Sequence, residues 1–177
     1  MACGHDDFIF EFYFCNLQFP ISNLKFPILF RGVNMPYRYL EDVAIADVAF
    51  EAEGKTLREL LESGALATTN AMIGNIDKLE QKVIRCFEVT AENPEMLLYR
   101  FLQELVFYKD AERLLFNKFE LDPEQGVPLW HLRVRAFGDE ISQEKHELLA
   151  DVKAVSLHNF SVRQTPGGWR AEVIVDV

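Results

Sequence analysis

The stretch from Val152 to Val177 places the tightest constraint on what this chain can fold into. Two runs rich in β-branched and apolar residues, Val152 to Val162 and Trp169 to Val177, flank a turn at Gln164-Thr165-Pro166-Gly167-Gly168. That pattern predicts a β-hairpin. The second run ends abruptly, so a strand carries the Asp176 carboxylate beside the α-carboxylate and carbonyl of Val177. Hard oxygen ligands gathered at a fixed point suit a hard cation, provided another carboxylate comes near. The plainer reading of Asp176 is a solvated strand-end acid.

Composition sets the outer limits. A chain of 177 residues with 49% apolar side chains can bury a sizeable core in one domain. No apolar run reaches the roughly 18–20 residues that span a bilayer as a helix, so no membrane partner is expected. The formal net charge of −10 repels phosphate backbones, and direct nucleic-acid binding is not expected. Cys3, Cys15 and Cys86 form no C-x-x-C pair, and their odd number argues against a disulfide framework. A reducing cytoplasm is the expected compartment, and Cys86 is expected in the core.

Residues 1–34 differ from the rest. Phe8 to Phe14 is almost continuously aromatic, and Asp6, Asp7 and Glu11 stand where a signal peptide would be basic. Residues 1–34 are expected to lie outside the domain, as upstream sequence with Met35 the natural start. The alternative is an extra strand or anchor that docks on it. The domain is then 35–177.

Within the domain, Tyr37 to Leu40 and Val48 to Glu53 read as strands, the second ended by Gly54. Thr56-Leu57-Arg58-Glu59 is a capping box. It opens a helix whose apolar positions Leu57, Leu60, Leu61, Ala67 and Ala71 carry it to about Met72, with Gly74 as its stop. Lys82 to Val89 is a strand by composition. Asn93-Pro94 starts a second helix with Leu97, Leu98, Phe101, Leu102 and Leu105 on one face. Leu114 to Leu121 and Trp130 to Phe137 read as strands, with turns at Asp122-Pro123 to Gly126 and at Gly138-Asp139-Glu140. This order predicts an α+β fold: one domain, a mixed and mostly antiparallel sheet with two main helices packed on it.

The chemistry is sparse. The sequence carries no zinc-protease, nucleophile-elbow, Walker or paired-cysteine motif, and no nucleophile stands in evident relation to a base. An enzyme is therefore not expected, and a small metal-dependent hydrolase built on Asp47 and Asp176 would lack a general base. Arg133 and Arg135 read either as a small basic stripe or as solvated strand residues. What stands out is carboxylates at element edges: Asp42, Asp47, Asp176 and the C-terminus.

Three stretches together resemble the archease family. They are Tyr37-Arg38-Tyr39-Leu40 through Ala46-Asp47-Val48 to Gly54 and the Thr56-Leu57 helix start; Val152 to His158; and Gly168 to Val177. The resemblance implies an activator of the RtcB-type tRNA-splicing ligase, which promotes guanylylation and turnover of the ligase without being the ligase. It also implies a calcium site whose ligands fall on Asp47, Asp176 and Val177, and it places Lys153 in a matching motif. A chaperone-like scaffold for other RNA-modifying enzymes is the alternative. One departure stands out: where the family commonly has His-Thr-Ala-Asp, this chain has Ala44-Ile45-Ala46-Asp47. The Asp is kept and the His and Thr are not.

Overall fold

The computed structural model describes residues 36–40 and 47–177. The expectations for residues 1–34 and for Asp42 lie outside these residues. In chain order the elements are β1 (Tyr37–Leu40), β2 (Asp47–Gly54), α1 (Leu57–Met72), a 3-10 turn (Ile76–Lys78), β3 (Val83–Ala91), α2 (Pro94–Glu112), β4 (Leu114–Gln125), β5 (Trp130–Glu140), β6 (Ala154–Thr165) and β7 (Gly168–Asp176).

Both helix starts follow from their caps. The Thr56 hydroxyl accepts from the Glu59 amide at 3.2 Å, and the Glu59 carboxylate accepts from the Lys55 amide at 2.7 Å. The Asn93 side chain accepts from the Met96 amide at 2.8 Å, with Pro94 as the first helical residue. Each cap satisfies a donor that the first turn leaves without an intrahelical partner.

The fold is α+β, with its strands divided between two antiparallel sheets, β1-β2-β7-β6 and β3-β5-β4. The single sheet of the sequence reading is thus two. Helix α1 explains why. Its buried residues include Leu57, Leu60, Leu61, Ser63, Ala65, Thr68 and Met72, far wider than one amphipathic stripe. A helix apolar over most of its girth has to be covered on more than one side. It packs on β2 and β7 of the first sheet and on β4 of the second, and α2 likewise touches both sheets. The core between them holds Phe50, Leu60, Leu61, Phe101, Phe116 and Leu132, each almost fully buried.

Two expected turns are strand instead. Asp122 and Pro123 pair with Arg133 and Leu132 inside β4. A proline is tolerated there because β4 is an edge strand, where a missing N–H removes no interior ladder bond. Gly138 to Glu140 continue β5 beside a bulge between Phe116 and Lys118. A Cβ on Gly138 would lie 1.9 Å from the Leu115 carbonyl oxygen, so the glycine permits the close approach of β4. Cys86, expected in the core, is exposed: Val89 and Ala91 face inward along β3, which turns Cys86, Glu88 and Thr90 outward.

Strand β6 is an edge of its sheet, and α2 guards it. The Val162 amide donates to the Glu95 carboxylate at 3.2 Å and the Val155 amide to the Gln103 side chain at 3.0 Å. Further along the helix, the buried Lys109 amine pairs with Asp151 at 2.5 Å. The Val155 and Val162 amides, engaged by α2, are withheld from a foreign strand.

Candidate metal centre

The candidate site grows out of the β2–β7 ladder. Its core face is a run of buried pairs: Val48 with Val175, Phe50 with Val173, and Ala52 with Ala171. Because directly opposed residues share a face, the alternate pairs lie on the other face: Asp47 with Asp176, the buried apolar pair Ala49 with Ile174, Glu51 with Glu172, and Glu53 with Arg170. Burial of the valines and Phe50 therefore fixes Asp47 opposite Asp176. A slip of one residue would carry the acids into the core.

Two of the three charged pairs on this face are compensated. Glu53 and Arg170 form an ion pair at 2.5 Å. Glu51 and Glu172 are like charges, but Arg38 of β1 holds Glu51 at 2.5 Å and Arg163 of β6 bonds to Glu172. Asp47 and Asp176 have no ion-pair partner among the described residues. Like charges directly opposed on a sheet repel, and no basic side chain among the described residues offsets this pair.

Val177 follows Asp176 and is half-buried, packed against the core. Strand β6 supplies the other flank: Ala154 pairs with Asp176, and the Lys153 amide donates to the Asp176 carbonyl at 2.8 Å. Lys153 is exposed. The three stretches that were separate in sequence therefore meet at one end of one sheet. Among the described residues no group of three or more His, Cys, Asp or Glu gathers to hold a metal. The two carboxylates suit a hard oxygen-seeking cation in kind. Two carboxylates fall short in number of the six to eight oxygens calcium takes, and main-chain oxygens and water would have to supply the remainder. The histidines stand apart, with His146 buried and its Nδ1 accepting from the Ser142 amide at 3.2 Å.

The supposed basic stripe on β5 is neutralised by its neighbours. Arg133 pairs with Asp122 at 2.5 Å and Glu124 at 3.5 Å, and Arg135 with Glu120 at 3.1 Å. Sequence reasoning missed the charge ladder on the outer face of the first sheet. Its signal was the matched acids at Glu51, Glu53 and Glu172.

Comparison with known proteins accords with this topology. The archease protein family matches over residues 37–177. The archease of Pyrococcus furiosus is 38% identical over 133 residues, which is 75% of this chain and 93% of that protein. The archease of Pyrococcus abyssi is 35% identical over the same shares. Protein 1598 of Methanobacterium thermoautotrophicum, solved in solution, aligns with a TM-score of 0.71 at 34% identity, covering 81% of this chain and 99% of that one. An archease of Thermotoga maritima, described as a possible chaperone, has a TM-score of 0.51 at 15% identity over 75% of this chain and 91% of its own, a likeness of fold alone.

Proposed function

The chain belongs to the archease family, and on that premise we propose that it works on a protein partner as a non-enzymatic activator. The partner is an RtcB-type RNA ligase, whose guanylylation and multiple turnover in tRNA splicing and RNA repair it promotes. Calcium is held by the carboxylates of Asp47 and Asp176 with main-chain oxygens of Val177.

The observation that carries this reading is the uncompensated Asp47–Asp176 pair at the end of the β2–β7 ladder. A bound divalent cation would offset the facing carboxylates there. The chain's own residues do the rest. Strand β2 positions Asp47, β7 positions Asp176, and the Lys153 amide fixes the Asp176 main chain. The net charge of −10 fits an activator that leaves RNA to the ligase's own surface. A second reading, a chaperone-like scaffold for other RNA-modifying enzymes, draws on the description of the Thermotoga maritima protein as a possible chaperone.

Multiple-turnover RNA ligation by a ligase from the same source, with and without this protein, tests the first reading. Stimulation by wild type that is lost in Asp176→Ala supports both the activator role and the site. A folded wild-type protein that leaves turnover unchanged refutes it. Stimulation of other RNA-modifying enzymes would then favour the scaffold reading.

A further inference from the structure

The β2–β7 ladder has a second end. Asp47 and Asp176 close one end, and Gly54 opposite Trp169 closes the other, about 23 Å away at 3.3 Å per residue. A cleft of about 740 Å³ opens at that far end. Close backbone approach sets its walls. A Cβ on Gly54 would lie 2.3 Å from the Leu60 amide nitrogen, and one on Gly168 would lie 2.3 Å from the Gly54 carbonyl oxygen.

The lining has two characters. Pro36, Leu66 and Trp169 supply apolar surface, and Glu53, Glu59 and Glu62 supply carboxylates. Glu59, Glu62 and Leu66 lie on one face of α1, at spacings of three and four. Arg170 is engaged by Glu53 at 2.5 Å, and Glu59 accepts from the Lys55 amide. Glu62 has neither an ion pair nor a hydrogen bond among the described residues, and Lys55 stands exposed at the rim. Partial burial, with Glu59 nearby, also raises the Glu62 carboxyl above its ordinary value. An aromatic ring beside the unpaired Glu62 carboxylate in a concave site suits a cation on an apolar stem.

We propose that this cleft recognises a basic segment of a protein partner. An Arg or Lys side chain enters it, its stem against Trp169 and Leu66 and its charged head toward Glu62 and Glu59. This goes beyond the metal site and shares no residue with it. It rests on the reading of a protein partner only for the source of the segment.

The test is calorimetric titration of the full chain with a tetra-arginine peptide, and with tetra-glutamate as the opposite charge. Saturable binding of tetra-arginine alone is expected. Glu62→Gln should weaken it about fivefold, and Trp169→Phe about twofold. Lys55→Gln should strengthen it. Glu144→Gln removes one exposed negative charge elsewhere and should leave it unchanged. Equal weakening by Glu62→Gln and Glu144→Gln would mean attraction to the acidic surface at large, and would overturn the proposal. So would preferential binding of tetra-glutamate, or no binding at all. If Glu62→Gln fails to fold, Trp169→Phe and Lys55→Gln decide by their opposite signs. Asp176→Ala should bind the peptide as wild type does, so failure of the metal reading and failure of this one are told apart.

Discussion

Asp47 stands directly opposite Asp176 across the β2–β7 ladder, with no ion-pair partner for either among the described residues. The other like-charge pair on the same face, Glu51 and Glu172, is bridged on both sides by arginine. Two pairs of equal charge on one sheet face are thus treated differently.

The first prediction concerns stability at this pair. Without metal, Asp176→Asn should be as stable as wild type or more so, by up to about 1 kcal/mol, because a repulsion is removed. With calcium at about 100 times its Kd, wild type should gain about 2.7 kcal/mol and the variant much less. Thermal melts with calcium and with a chelator check both signs. A variant that gains as much as wild type sinks the assignment.

Glu62 predicts a pH dependence. Partial burial and then Glu59 raise its folded pKa above the ordinary 4.5. Its contribution therefore favours folding fully below that ordinary value and is lost as pH rises through the higher folded value. Glu62→Gln should match wild type in acid and exceed it near neutrality. Melting both proteins between pH 4 and pH 7 gives the comparison, and a difference that grows toward acid would contradict it.

Lys109 is 8% exposed and ion-paired to Asp110 at 2.6 Å and to Asp151 at 2.5 Å. Lys109→Ala should cost about 1–2 kcal/mol, below the 3–5 of a fully buried pair because both acids keep contact with water. Urea unfolding should show a lower midpoint at unchanged slope.

The hairpin turn offers a paired test. Gly168 has φ +137° and no room for a Cβ, whereas a Cβ on Gly167 meets nothing within 4 Å. Gly168→Ala should cost more than about 2 kcal/mol, and Gly167→Ala should stay within about 0.5 kcal/mol. Similar losses at both positions would show that the turn, not the approach to Gly54, sets the limit.

Gln103→Leu removes the side-chain acceptor of the Val155 amide on an edge strand. Amide exchange at Val155 should quicken while Val173, inside the sheet, stays protected. Equal change at both would indicate global loosening rather than release of the edge.

Local chemistry was legible from the sequence alone. The Thr56 and Asn93 caps, the run of α1, the start of α2 and the final hairpin all rest on contacts a few residues apart. The interior of β4 was misread at Asp122-Pro123, because a proline's meaning depends on whether its strand lies at an edge. Cys86 was misplaced because composition does not say which face of β3 is wet. The tertiary structure alone decided that α1 would be covered by two sheets and that Arg133 and Arg135 would be neutralised across strands. It also decided that Asp47 and Asp176, at nearly opposite ends of the domain sequence, would face each other. Pairing between distant strands is set by which faces can be buried together. Here Val48, Phe50, Val173 and Val175 fix the register, and the two aspartates are placed by what lies beneath them.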